Sequence, residues 1–307
     1  MQTVFSKALP VSRISSSAAG ISLAIAALVC FAALDTTTKF VTTGVPLLMA
    51  LWFRYMFQAV ATTLAVLPVR GMALLRTAHS RYQLLRGVLL LLTSLFAFFS
   101  LKYMPVGEFT AIVMITPLVI TLLAATALKE RVSALRWFLV AGGFTGTMVI
   151  IRPGADTFSW TTLLPLGLVS CNAWLQVLTS RLARTEDPVT MHFYTGWVDA
   201  IVASLALPFV WTSLAHWYLW ADLLLMGVLA TIGHFMLILA YQRAPAATLT
   251  PFLYAQIAFA MLGGWIVFSH VPDHLSMIGI VMIAVCGAGG AWLTVRESRV
   301  MVEPVES

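Results

Sequence analysis

Asp35 and Lys39 stand four residues apart in "FAALDTTTKF" (31–40), and Arg54 follows in "LWFRYMFQAV" (51–60). All three interrupt apolar runs. A charge at the centre of a hydrocarbon-embedded helix costs about 2.5–3.5 kcal/mol on insertion scales, so such a residue faces the protein interior and marks a partner or a pathway. On a helix, positions 35 and 39 share one face. If successive apolar runs cross in opposite directions, Asp35 lies roughly 8 Å and Arg54 roughly 12 Å below the same surface, at 1.5 Å per residue. Matched depths predict an Asp35–Arg54 ion pair between neighbouring helices, with Lys39 snorkelling to the interface. Two roles stay open for this cluster. It is a gate or proton-sensitive pair, or it is a fixed bridge that sets how the first two helices pack.

Further polar residues interrupt later apolar runs. Glu108 and Lys102 flank a tight turn, which predicts a rim salt bridge; a site for a proton or a substrate ammonium is the sharper alternative. Asn172 and Gln176 form an i,i+4 pair beside Trp174. His192, Tyr194 and Asp199 share one run, His234 lies in the next, and Tyr254 and Gln256 in the one after. Interhelical hydrogen bonds account for any one of these; several amides and rings on separate helices fit a central cavity better. His234 is either a titrating switch or a satisfied core histidine. Phe96, Phe99 and Tyr103 share one helical face, which lines a cavity for a flat solute or else meets lipid. No H-E-x-x-H, G-x-S-x-G or phosphate-binding loop occurs, so catalytic residues are not expected. Pro272 interrupts "HVPDH" (270–274), and Cys30, Cys171 and Cys286 are far apart within apolar runs. Neither a metal site, a disulfide framework nor a cofactor is expected.

The elements that position these residues follow from composition. Of 307 residues, 60% are hydrophobic and 10% charged, with a mean hydropathy of +0.94. Soluble domains carry about 25% charged residues. The chain therefore reads as an all-α polytopic membrane protein, with the lipid bilayer as its surroundings. Runs long enough to cross hydrocarbon predict ten spans: 18–41, 46–67, 84–103, 105–127, 134–151, 159–181, 190–211, 219–241, 247–268 and 275–294. Placing the N-terminus in the cytoplasm puts 14 Lys and Arg on that side, Arg86 among them, and three on the other. That bias predicts an inner-membrane protein with both termini cytoplasmic, and it explains the net charge of +6 without a nucleic-acid partner. The first apolar run lacks a small-residue cleavage site, so it reads as an uncleaved helix. Trp211, Trp217 and Trp220 fit an interfacial belt.

The halves match weakly. Lys39 and Pro46 are spaced as Arg181 and Pro188 are, and Gly87, Pro105 and Leu135 fall on Gly227, Pro245 and Leu275. Five spans per half force opposite orientations, so the fold class is ten transmembrane helices as two inverted five-helix repeats. Expected units are a tail (1–17), a first repeat (18–152), a second repeat (159–295) and a C-terminal tail (296–307). Pro117 and Pro251 predict kinks. Gly142, Gly143 and Gly146 on span five, with Gly287, Gly289 and Gly290 on span ten, predict that these two spans pack together, a homodimer interface being one arrangement they allow.

"LDTTTKF", "WFRYMF", "LLRGVL", "YMPVGEFTAIVMITPL", "LKER" (128–131), "IIRPG" (150–154) and "AYQRAPAATLTPFLYAQIAFA" occur in order. In these the chain resembles the drug/metabolite transporter superfamily, with two EamA-type domains, over about residues 18–295. His270 departs from the pattern, standing opposite Glu130. The Asp35–Lys39 pair and Arg54 are similar to the branch with S-adenosylmethionine and riboflavin carriers. The resemblance implies secondary transport of a small-molecule solute (amino-acid-like, nucleoside-like or flavin-like) by alternating access, driven by a proton or solute counter-gradient. The alternatives are an intramembrane enzyme and a structural membrane protein.

Overall fold

The computed structural model describes residues 11–71, 76–116, 118–119, 133–152, 159–182, 186–214, 216–243, 249 and 252–300. Among them are ten α-helices and no strand: α1 (Val11–Val41), α2 (Leu47–Arg70), α3 (Ser80–Tyr103), α4 (Val106–Val113), α5 (Ala134–Ile151), α6 (Leu164–Leu182), α7 (Pro188–Val210), α8 (Trp217–Arg243), α9 (Ala255–Phe268) and α10 (His274–Val300). Each corresponds to one expected span. Helices α1, α2, α3, α7 and α8 are long and apolar enough to cross a membrane. Pro117, Pro251 and "LKER" lie outside the described residues.

Local chemistry sets the helix ends. Pro46 and Pro105 precede α2 and α4 in extended conformation, where proline's fixed φ and missing N–H suit a helix start. Asp187 caps α7 by accepting from Thr190 N (3.0 Å), with Pro188 in the first turn. Asp273 caps α10 through Ser276 N (2.8 Å). We call the end where α1 and α3 finish the outer end.

The two halves interlock. Helix α1 lies against α8 and α9, α2 against α7 and α8, α3 against α6 and α7, α4 against α9 and α6, and α5 against α10. Exchanging every helix for the one five places away leaves this pattern unchanged. Contact α1–α8 becomes α6–α3, α2–α8 becomes α7–α3, and α1–α9 becomes α6–α4; the α2–α7, α4–α9 and α5–α10 contacts map onto themselves. Reciprocal hydrogen bonds mark the same pseudo-two-fold: Trp52 Nε1 donates to Ser204 Oγ (2.7 Å) and Trp197 Nε1 to Thr63 Oγ1 (2.9 Å). The matched glycines are crossing points too. A Cβ on Gly227 would lie 2.7 Å from Phe57 of α2, and one on Gly87 would press into Val198 of α7.

The glycine-rich fifth and tenth helices do pack together, and they do so within one chain. Gly146 and Gly279 meet backbone to backbone, while the Gly142 position faces Cys286. That use leaves the seam without support for a dimer interface. Trp211, Trp217 and Trp220 are exposed around the outer ends of α7 and α8, as a belt requires.

Candidate functional site

Asp35 does not pair with Arg54. The depths agree, but α8 packs against both α1 and α2, and α1 turns its polar face to α9 instead. There Gln256 Nε2 donates to Asp35 Oδ2 at 3.4 Å. Half-buried Asp35 forms no ion pair among the described residues. One turn below, the Phe31 ring meets His234 of α8 edge-on, centroids 4.9 Å apart. Arg54 is 8% exposed, lies over the Tyr55 ring at 5.3 Å, and has no acceptor for Nε. Its charge reaches both Asp35 and His234. Phe31, Asp35, Arg54, His234 and Gln256 thus come from four helices to one largely buried centre.

Lys39 is turned away from this centre and does not snorkel. Its Nζ donates to Leu101 O (3.0 Å) and Met104 O (2.8 Å), which closes the C-terminus of α3. A cation there satisfies carbonyls that the helix leaves unpaired and favours the negative end of its dipole. Glu108 likewise meets a different partner from the expected Lys102. His270, just after α9, places Nε2 3.7 Å from Glu108 Oε1, whereas Lys102 lies over Tyr103. The reason is again that α4 packs against α9.

Other expected residues scatter. Phe99 and Tyr103 are 40% and 54% exposed and continue the exposed stripe of Leu85, Val88 and Leu92, apart from the centre around Asp35. Phe96, half-buried on the next strip, packs against Gly167 of α6. Asn172 and Gln176 are half-buried and Trp174 is half-exposed, on a helix that packs against α3 and α4, away from the centre. Tyr254 packs its ring against Gly287 of α10. His234 holds Ala230 O at 2.8 Å through Nδ1, which favours a fixed ring over a switch.

Two latches tie the ends. At the outer end Arg152, in left-handed conformation (φ 52°), donates to Asp273 Oδ1 at 2.5 Å and to Ser276 Oγ at 3.2 Å. The Arg152 hydrogen bond, then the Ser276 N–H, hold the Asp273 carboxyl well below the usual carboxylate range. At the inner end Glu186 accepts from His79 Nδ1 (2.9 Å) and Ala78 N (3.0 Å). Burial would raise the Glu186 pKa; bonds from His79, Thr77 and Ala78 outweigh it and lower it.

Comparison with known proteins gives this geometry its context. Residues 18–152, spanning α1–α5, match the EamA-like transporter family. A riboflavin transporter of Rhizobium johnstonii is 31% identical across 83% of this chain and 85% of its own length. The chain belongs to the EamA-like transporter family. A riboflavin transporter of Vibrio cholerae is 30% identical over 73% of the chain and 76% of its own length. An S-adenosylmethionine uptake transporter of Rickettsia bellii is 25% identical over 86% and 90%. A solved crystal structure, 19% identical, superposes with a TM-score of 0.64 over 91% of this chain and 99% of its own, and so shares the fold. This EamA-like protein is a multi-pass membrane transporter of a small molecule, not an enzyme.

Sequence reasoning missed part of the transporter's interior. Arg86, assigned to the cytoplasmic side, is 5% exposed; its Nε donates to Thr179 Oγ1 (3.0 Å), and its Nη1 to Gln83 Oε1 and Met191 O (both 3.2 Å). Gln58 donates to His192 O at 3.2 Å. The available signals were the Arg54–Gln58 and Gln83–Arg86 spacings of four and three residues, each setting two polar groups on one helical face.

Proposed function

We propose that the chain is a secondary carrier in the cell inner membrane, both termini cytoplasmic, that moves a flat nitrogen heterocycle bearing a hydroxylated chain by alternating access. The flavin class is the first choice and the adenosyl class the second. Residues 18–152 and 159–295 are then the two inverted repeats that rock about the centre, driven by a proton or counter-solute gradient. One chain of ten helices is the transporting unit.

The observation that carries this reading is Asp35, a half-buried carboxylate with one amide partner (Gln256, 3.4 Å) and an aromatic wall of Phe31 and His234 beside it. Such a carboxylate accepts hydroxyl donors of a ribityl or ribose chain, and flat rings suit a heteroaromatic face. The riboflavin and S-adenosylmethionine relatives carry solutes with both parts. An amino-acid-like solute would instead set its ammonium on Asp35 and its carboxylate on Arg54.

Counterflow in proteoliposomes tests this. Saturable riboflavin exchange, competed by S-adenosylmethionine more than by a neutral amino acid, is the expected result. Chemical turnover of riboflavin without counterflow, or an Asp35→Asn carrier indistinguishable from wild type, would overturn it.

A further inference from the structure

Asp199 lies in the middle of α7, 0% exposed, and neither carboxyl oxygen has a hydrogen-bond partner among the described residues. A buried ionised carboxylate without donors is among the costliest arrangements a protein can hold. Packing does not require it. The pseudo-symmetric crossing, α8 on α2, seats Gly227 against Phe57, an apolar ring, whereas the α3–α7 crossing seats Gly87 against Val198 with Asp199 Oδ1 3.2 Å from the glycine's Cβ position. The acid therefore serves something other than the crossing.

Its surroundings say what. From α3, Arg86 lies within electrostatic reach of Asp199, but its guanidinium already donates to Thr179, Gln83 and Met191 O. From α2, Arg54 and Tyr55 lie within electrostatic reach of it; the Tyr55 hydroxyl is engaged with Ser94 and Leu90 O. On α7 itself Gln58 meets His192 at its carbonyl oxygen and at Nδ1, leaving the buried ring Nε2 of this uncharged group unpaired among the described residues, and on α8 His234 is held by Ala230 O. Arg54 alone in this set combines a full charge with a buried N–H that has no acceptor. An unused donor on α2 and two unused acceptors on α7 stand within electrostatic reach of each other and are not paired. Helices α2 and α7 pack directly, and each belongs to a different repeat.

We propose that Asp199 is a proton-binding site whose proton is exchanged for Arg54. In the conformation described, the proton occupies one carboxyl oxygen and removes the buried charge. When α2 and α7 shift, the O–H bond breaks, the proton leaves to water, and an Arg54 N–H donates to the freed carboxylate. Proton and guanidinium compete for one acceptor, so each proton carried reports one relative position of the repeats. Coupling of this exchange to solute movement rests on the carrier reading above; the proton site itself does not.

Infrared difference titration of the purified full chain reads the site without any solute. The expected result is a buried carboxylic C=O band that titrates with pH, is absent in Asp199→Asn, returns shifted in Asp199→Glu, and titrates at higher pH in Arg54→Gln. A band unchanged in Asp199→Asn, or a midpoint indifferent to Arg54→Gln, overturns the proposal. If Asp199→Asn does not fold, loss or persistence of the wild-type band position in Asp199→Glu decides the same point. Riboflavin in proteoliposomes then reads coupling. Asp199→Asn loses accumulation driven by a pH gradient and keeps counterflow; accumulation intact, or counterflow lost from a protein with the wild-type melting profile, overturns coupling through Asp199. If wild type moves neither riboflavin nor S-adenosylmethionine, the solute assignment fails and the infrared result still decides the proton site.

Discussion

The α5–α10 seam and the α3–α7 crossing both use glycine to bring helices close, yet they put different groups in the gap. In the seam a Cβ on Gly279 would lie 2.6 Å from Gly146 O, and one on Gly146 would lie 2.9 Å from Gly279 O, so backbone meets backbone. At the crossing, Gly87 meets the Val198 side chain and the Asp199 carboxyl. A backbone contact has one geometry and no rotamer to adjust. A side-chain contact next to unpaired buried polar groups has alternatives. In the alternating access proposed above, the seam would serve as a post and the crossing as a joint.

Filling the two gaps is the harshest way to break this contrast. Gly279→Ala sets a methyl group against a carbonyl that cannot turn aside, and overpacking of this kind costs about 3 kcal/mol. Its unfolding midpoint in denaturant should fall furthest of the variants considered. Gly87→Ala meets a valine side chain and should lose about half as much. Equal losses would mean that the crossing is as rigid as the seam.

Removing charge from the centre should act on transport rather than on folding. Asp35→Asn keeps the shape and one acceptor oxygen but gives up a charge-assisted acceptor, which is expected to lower riboflavin counterflow about tenfold, or about 1.4 kcal/mol. Its melting temperature should stay within a few degrees of wild type. Lys39→Met should do the reverse. It leaves Leu101 O and Met104 O without their donor at the end of α3, a loss of about 1 kcal/mol in stability, with counterflow intact. These two residues lie one helical turn apart, so opposite outcomes would separate transport from scaffold within a single helix.

That separation shows where the sequence was legible. Apolar run length located the helices, because crossing hydrocarbon is a local requirement; the prolines at 46, 105 and 188 then stand where helices begin. The repeat was readable because Gly87 and Gly227 answer the same packing need at equivalent crossings. Partners were not readable. A helix apolar on all sides gives no sign of how it is rotated, so the exposed stripe that Phe99 and Tyr103 join could not be told from a cavity wall. Adjacent helices were taken as neighbours, but α8 packs against both α1 and α2, and α9 supplies the groups that meet Asp35 and Glu108. Interlocked repeats place the partner of residue 35 at residue 256, and only the fold can say so.

The outer latch offers the mildest probe, because it is exposed where the centre is not. Asp273 has a depressed pKa, so its contribution to stability is fully present above the unfolded-state value of about 3.9 and is lost as pH falls through the folded one. Wild type should therefore melt above Asp273→Asn at about pH 7, and the gap should begin to narrow only below about pH 4 and go on narrowing as pH falls through the strongly depressed folded value. Glu186 at the inner end is depressed as well, and Glu186→Gln should narrow its gap from wild type in the same direction. Salt divides the two ends. Asp273 is well exposed and its pairing with Arg152 should weaken with ionic strength, whereas Glu186 is nearly enclosed and takes one of its bonds from a backbone N–H, which salt does not screen. A melting gap that shrinks with added salt for Asp273→Asn but not for Glu186→Gln would mark the outer latch as the weaker of the two closures.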